Sequence, residues 1–275
     1  MKNKLITLFS CVAFLFIFSN SFSQTVCTTK YVVPFITMDV IGGYSIPLLD
    51  LKGSSNDEFY SFKSYAQSSG IGTALKFNYN VGCYKNNTDI DLYLVLGYNH
   101  YQTEENNSYG MKQYPPGWPA DTTYKIANKK PGTSFYRMNL PYMAVGGEFK
   151  VYTDRNKLSS FGFGLHINAA IIAGRVYDQE VGQTEYFNTY HGSFRMGVGG
   201  LVEYGYRFSK RVGFKVGTQF NFHNLLFKSA DVSDKNAWMF LNDKADVSLN
   251  PYLSSSRNIA DINFFGGISF FIGKK

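Results

Sequence analysis

The chain has 275 residues, a net charge of +7 and a mean hydropathy of −0.18, and its Lys and Arg residues are scattered without a dense block. That scatter, together with an export signal, tells against nucleic acid as a partner. With 25 phenylalanines and 21 tyrosines the chain is strongly aromatic, yet beyond the leader no apolar run approaches the about 20 residues a membrane-spanning helix needs.

Lys2 and Lys4 precede an apolar run over residues 5–18, and Ser21 and Ser23 stand at the −3 and −1 positions of a cut before Gln24. This is the anatomy of a secretory signal peptide, so residues 1–23 are set apart from a single mature domain at 24–275. The run is too short to span a bilayer as a helix, and no cysteine stands at the cut to take a lipid.

Eight strands are predicted in the mature chain. The first covers residues 35–45, with Ile36, Met38, Val40 and Tyr44 on one face and Thr37, Asp39 and Gly43 on the other. The second, 69–81, puts Ile71, Thr73, Leu75, Phe77, Tyr79 and Val81 on one face. In the third, 90–101, Leu92, Leu94, Leu96 and Tyr98 form the apolar face. The fourth, 135–152, loses its alternation around Asn139, Leu140 and Pro141. Proline cannot donate to a ladder, so a bulge is expected there.

Strands five to eight start near Ser159, Gly192, Val212 and Ile259. Their clean faces run from Phe161 to Ala173, Phe194 to Tyr206, Val212 to Phe222 and Ala260 to Ile272, taking every second residue. Together with strand two, these faces hold 33 positions and no Asp, Glu, Lys or Arg, although 17% of the chain is charged. A random face of that size would carry about five or six charges, and an Arg or Lys facing lipid at midplane costs about 2–4 kcal/mol. The period of two indicates strands; the missing charge indicates lipid.

Connection lengths alternate as well. Residues 82–89, 153–158 and 209–211 are turn-like, whereas 46–68, 102–134, 175–191 and 223–258 are long and polar. Membrane barrels have even strand numbers, short periplasmic turns and longer outer loops. The expected architecture is therefore an all-β, eight-stranded antiparallel transmembrane up-and-down β-barrel in the outer membrane of a Gram-negative bacterium, with both termini periplasmic. A soluble barrel of lipocalin or streptavidin type would instead turn its apolar face inward and carry Lys and Glu outside. Here the second face is rich in glycine, and Tyr79, Tyr98, Tyr204, Tyr206, Phe220 and Phe222 sit toward strand ends as girdle residues.

An eight-stranded barrel is just wide enough inside for side chains to fill. The inward set includes Asp39, Lys76, Arg195, Glu203, Lys215 and Asp261, three cations and three anions that are expected to form a plugging network. Glu203 and Lys215 come close to facing each other across the turn at Ser209 and Lys210, while Arg195 and Asp261 both lie near the outer end. With Cys11 lost in the leader, Cys27 and Cys83 both fall on the periplasmic side, where the compartment permits a disulfide between them.

The chain resembles the small outer-membrane barrel families of Gram-negative bacteria, the OmpA-like and OmpX-like barrels and their PorT-like relatives in the Bacteroidota. Gly267, Phe270 and Ile272 match the C-terminal insertion signal of those families, which implies the barrel assembly machinery as a partner during insertion. Phe265 departs from the polar preference of that signal, and Gly273, Lys274 and Lys275 extend past its usual aromatic end. Asn139, Leu140, Pro141 and Tyr142 look like the Leu-Pro strand start of PorT-like barrels. Lipid A deacylases similar to such barrels place a catalytic histidine near the outer end of a strand, where His223 lies. Their His-x-Ser pattern is not met, since Asn224 and Leu225 follow.

Other chemistry is poorly represented. HExxH, CxxC, GxSxG and the P-loop are absent, and Gly162, Gly164, Gly197 and Gly199 fall inside strands rather than before a helix. His100, His166, His191 and His223 are dispersed, and neither metal nor cofactor is expected. The reading is a non-enzymatic barrel with a structural or surface-binding role, in contact with outer-membrane lipid and lipopolysaccharide. Its function is expected to sit on outer loops, with Tyr114, Trp118, Trp238 and Phe240 as candidate contacts for a surface protein or glycan. The alternatives are an accessory subunit of a PorT-like secretion machine and, more weakly, a lipid A-modifying enzyme.

Overall fold

The computed structural model describes residues 34–52, 69–85, 87–102, 133–154, 156–180, 183–230, 241, 243–246 and 255–273, with the backbone alone at 83–85, 133–136, 175–180 and 183–191. Eight strands follow one another: β1 (Ile36–Leu48), β2 (Gly70–Lys85), β3 (Thr88–Gln102), β4 (Thr133–Tyr152), β5 (Ser159–Glu180), β6 (Gln183–Arg207), β7 (Val212–Leu226) and β8 (Ile259–Ile272). Each pairs antiparallel with the next, and β1 pairs β8 without interruption from Ile36↔Ile272 to Leu48↔Ala260, which closes an up-and-down barrel. A single-turn helix, α1 (Leu49–Lys52), follows β1.

Burial alternates with period two along the strands, and its sense is inverted. Leu165 is 78% exposed and Ile71 66%, while Asp39 and Asp261 are fully buried and Lys76 and Glu148 are 1% exposed. Phe163, Ile167, Val198, Val202, Val216, Phe264 and Ile268 share the outer face with Leu165. In water, each such side chain left outside would forgo about 1.5–3 kcal/mol of burial free energy. The exterior therefore suits hydrocarbon, and a soluble barrel with an apolar interior is excluded.

Strand four departs from expectation: its alternation does not slip and it carries no bulge at Pro141. Met138, Leu140 and Tyr142 are buried inside, while Asn139, Pro141 and Met143 face out. β3 pairs straight through Tyr98↔Pro141, and the ladder to β5 merely skips Leu140 and Pro141 while keeping one register from Asn139↔Ala173 to Tyr142↔Ala170. The sequence looks out of phase because part of the lumen is apolar. Tyr93, Val95, Tyr142, Ala144, Ala170 and Leu201 form a packed cluster there.

Bulges occur elsewhere, in the β2–β3, β5–β6 and β6–β7 ladders. The one opposite Gly197 matters most. Between Phe222, partner of Val198, and Leu226, partner of Met196, β7 carries three residues where β6 carries one. As a result His223 and Asn224, consecutive in sequence, are both buried.

The segment 175–191 also differs from expectation. It is not a loop: β5 and β6 remain paired through Asp178↔Glu185 to Glu180↔Gln183. β4 follows β5 as far as Thr133↔Gln179, whereas β6 meets β7 only from Met196 onward. A hairpin thus continues beyond the closed part of the barrel.

The opposite end is held by compact turns. The Asp154 carboxylate accepts N–H groups from Asn156 at 3.0 Å and from Leu158 and Ser159 at 2.8 Å. Lys157 occupies the left-handed region at φ 54°. In the next turn, Ser209 Oγ accepts the N–H groups of Arg211 and Val212, at 3.2 and 3.1 Å.

Candidate functional site

The inward side chains build a polar column along the barrel axis. At the turn end, Lys157 Nζ lies 3.3 Å from Asp89, whose carboxylate also accepts Tyr152 OH at 2.8 Å. Lys150 Nζ donates to Asp91 at 2.5 Å, and Asn80 Nδ2 donates to the other Asp91 oxygen at 2.8 Å. A cavity of about 50 Å³ remains beside them, lined in part by Thr37, Asn80, Asp91, Lys150 and Ser269.

The middle of the column is an ion-pair chain. Lys76 Nζ bridges Glu148 at 2.6 Å and Glu203 at 2.7 Å; Lys215 Nζ bridges Glu203 at 2.5 Å and Asp39 at 2.7 Å. Asn78 Nδ2 donates to Asp39 at 2.8 Å. These groups come from β1, β2, β4, β6 and β7, so the chain cross-braces the barrel. An ion buried this deeply is tolerable only with close partners, and removing one partner costs about 3–5 kcal/mol.

Glycines inside the strands make room for this column. A Cβ on Gly162 would collide with Glu148 Oε1, and one on Gly199 with His166 Nε2. The Gly-x-Gly patterns therefore reflect close approach within a packed lumen and not a phosphate cradle, which would need a strand-to-helix turn.

Further out, His166 bridges Tyr93 OH and Asn221 Oδ1, each at 2.9 Å. Asp261 is the hub of the next layer. Its Oδ2 meets His223 Nε2 at 2.7 Å, Asn99 Nδ2 at 2.9 Å and Tyr101 OH at 3.0 Å, while Oδ1 accepts from Asn221 Nδ2 at 3.0 Å and Asn263 Nδ2 at 3.2 Å. Tyr142 lies edge-on to the His223 ring at 5.9 Å between centroids. No serine or thiol stands within reach of His223 among the described contacts, so it is placed as a lumen residue bound to a carboxylate.

At this end the described residues of the connection between β7 and β8 are tied to the barrel wall. Arg195 grips Asp243 with two prongs, Nη2 to Oδ1 at 2.8 Å and Nε to Oδ2 at 2.9 Å, and also donates to Leu241 O at 2.9 Å. Asn224 Nδ2 and the Ser229 N–H add bonds to the same carboxylate, at 2.8 and 2.9 Å. Leu241 and Asp243 are both buried. The bulge in β7 supplies Asn224, whose Oδ1 in turn accepts the Ile259 N–H at 2.8 Å.

Of the six charged residues expected in the lumen, Asp39, Lys76, Glu203 and Lys215 stand in one chain. Arg195 and Asp261 do not meet: the arginine takes Asp243 and the aspartate takes His223. Asp89, Asp91, Glu148, Lys150 and Asp243 join the column without having been expected there. Glu148 and Lys150 follow from the alternation of strand four once Met138 and Leu140 are allowed inside. Cys27 lies outside the described residues and Cys83 is described by backbone alone, so their pairing has no geometry here. Tyr114, Trp118, Trp238 and Phe240 also fall outside the described residues, as does the side chain of His191. Among the described residues, no group of His, Cys, Asp or Glu converges to hold a metal ion.

The fold and the inverted burial define a membrane-type eight-stranded β-barrel. No family model matches the sequence, and no curated protein shows significant similarity to it. Among solved structures the chain is similar to Neisserial surface protein A, with 10% identity and a TM-score of 0.42 over 86% of this chain and 97% of that one. Ail of Yersinia pestis, crystallised with the heparin analogue sucrose octasulfate, follows at 9%, 0.36, 86% and 97%, and the outer membrane protease OmpT of Escherichia coli at 10%, 0.34, 89% and 99%. At these values the matches carry nothing functional, and the class rests on the topology and burial of this chain.

Proposed function

We propose that the chain is an integral outer-membrane protein with a closed lumen, a non-enzymatic scaffold that holds its β5–β6 hairpin and outer connections at the cell surface. The observation that carries this reading is the Lys76, Glu148, Glu203, Lys215 and Asp39 chain, which fills the barrel centre from five strands. A conducting pore needs a wetted axis, whereas here the Lys76 and Lys215 ammonium groups are each bonded to two carboxylates. The long connections after β1, β3 and β7, with the projecting β5–β6 hairpin at the same end, support termini on the periplasmic side.

A surface-binding role draws support from the hairpin. It runs past the closed part of the barrel, with β5 and β6 paired as far as Glu180↔Gln183, and function concentrates on segments that a rigid scaffold holds at its surface. The Leu140-Pro141 pair has a local explanation in the uninterrupted register of β4, and it adds nothing to a PorT-like assignment.

The test is reconstitution of the mature protein into planar bilayers. Silent membranes containing folded barrels, shown by heat-dependent gel migration, are expected. Regular channel steps from the unaltered protein would overturn the closed-lumen reading.

A further inference from the structure

The turn between β6 and β7, at the end of the barrel that carries the termini, is built from cations and rings. From Tyr204 to Ala230 the sequence holds no Asp or Glu, and Lys210 and Arg211 stand exposed at the tip. Among the described residues neither side chain meets a carboxylate. The backbone acceptors of the tip are already taken. Arg207 Nε donates to Ser209 O at 2.9 Å and its Nη2 to Lys210 O at 2.6 Å, with the guanidinium carbon 4.8 Å from the centre of the Phe271 ring. Arg211 O accepts the Phe271 N–H at 2.9 Å, and Val212 O accepts those of Phe208 and Ser209 at 3.1 and 3.0 Å. With the carbonyls of residues 209–212 all turned to internal donors, the tip presents positive charge to whatever lies outside.

Just below the tip the outer wall is aromatic. Phe208 is 65% exposed, and its ring packs on Tyr206 and Phe214 with centroids 5.7 and 5.3 Å away. Phe214 leads on to Tyr204 at 6.3 Å, and Tyr204 to Phe161 at 5.1 Å. Rings gathered at the end of a membrane barrel mark the interface with water, and two residues of extended chain advance about 7 Å, so Lys210 and Arg211 reach headgroup depth. We propose that this turn binds an anionic phospholipid in the leaflet on the side of the termini, with Lys210 and Arg211 on the phosphate and Phe208 against the first acyl segment. Arginine meets phosphate with a planar fork and lysine as a point charge. Charge complementarity selects the anionic headgroup, because a zwitterionic one brings its own ammonium toward the same two cations. A lipid is favoured over a soluble polymer because the aromatic path continues from the tip into the apolar belt, where acyl chains gain contact and a soluble chain gains none. The proposal rests on the outer-membrane reading above.

The experiment uses the mature protein in nanodiscs of phosphatidylethanolamine with a minor share of phosphatidylglycerol, its folding checked by heat-dependent gel migration, and counts retained lipid by native mass spectrometry. Expected is a preference of about twentyfold for phosphatidylglycerol, cut about fivefold by Lys210→Gln or Arg211→Gln and abolished in the double variant. Phe208→Ala should lower retention of both lipids. Retention in the proportions of the disc would overturn the site, as would a preference that survives in the double variant or full retention in Phe208→Ala. Displacement of phosphatidylglycerol by soluble anionic peptidoglycan fragments would assign the turn to a wall polymer and overturn it equally. If the double variant does not fold, the unaltered protein at low and high salt still decides: exposed charges are screened by salt, so a preference indifferent to it would overturn the site. Failure of the unaltered chain to insert would instead strike the outer-membrane reading, a result the gel separates from loss of lipid.

Discussion

Arg195 and Asp243 are 48 residues apart and meet in a buried two-pronged ion pair that ties the β7–β8 connection into the barrel mouth. With Asn224 and the Ser229 N–H on the same carboxylate, the pair acts as a latch.

Arg195→Ala leaves the Asp243 carboxylate buried without its cation, at a cost of about 3–5 kcal/mol. The expected result is local and not global: amide exchange rises at 243–246 while the strands remain protected, and brief conductance events appear in bilayers. Unchanged exchange at those amides would mean that the latch contributes nothing to closure.

Glu203 stands between Lys76 and Lys215, at 2.7 and 2.5 Å. Glu203→Gln keeps the shape but removes the charge both lysines depend on, and a loss of about 3–5 kcal/mol is expected in urea unfolding from lipid. Replacing ion pairs with apolar groups of similar size is often neutral or stabilising. The double variant Glu203→Leu/Lys215→Met should therefore recover part of the loss, as a double-mutant cycle would show.

How much of this was readable beforehand depends on what enforces the pattern. Lipid enforces a charge-free outer face with period two, so Phe161 to Ala173 and Val212 to Phe222 announce their strands. Beyond the belt nothing enforces it, and the run Arg175, Val176, Tyr177, Asp178, Gln179, Glu180 reads as loop although its backbone is paired. The lumen was legible where its residues lie on clean strands, as with Lys76 and Glu203. Glu148 was hidden by Met138 and Leu140, apolar residues that occupy inward positions. Asp243 was hidden because a loop carries it, and no periodicity points from a loop to a strand residue 48 positions earlier.

The turn between β4 and β5 gives a pH-dependent prediction. Burial alone would raise the Asp154 carboxyl, but the N–H groups of Ser159 and Leu158, the Ser159 hydroxyl and the Asn156 N–H hold it below its ordinary value. A depressed carboxyl contributes stability above the unfolded value of about 3.9 and loses it as pH falls through the lower folded value. Exchange of the Leu158 and Ser159 amides should therefore accelerate, beyond the intrinsic rate, only in acid below about pH 4. In Asp154→Ala it should already be fast at neutral pH. An acid transition that persists in the variant would assign it to another group.

The outer belt makes the most exacting prediction, because it sets against each other two positions in adjacent rows of the β5–β6 ladder. Leu165 on β5 is 78% exposed and Leu201 on β6 is 4% exposed. If the outside faces hydrocarbon, Leu165→Arg near midplane costs about 2–4 kcal/mol, while in a soluble barrel the same change on an exposed site is within about 0.5 kcal/mol. Leu201→Ala instead removes packing against the Tyr93 and Tyr142 cluster and costs about 2–5 kcal/mol whatever the solvent. The discriminating measurement is folding into vesicles of increasing acyl length, followed by heat-dependent gel migration. Leu165→Arg should lower the folded yield most in thick bilayers and least in thin ones, where the arginine reaches the headgroups, whereas the Leu201→Ala defect should not vary with thickness. A Leu165→Arg protein that folds as well as the unaltered chain in every vesicle would leave the exterior without lipid.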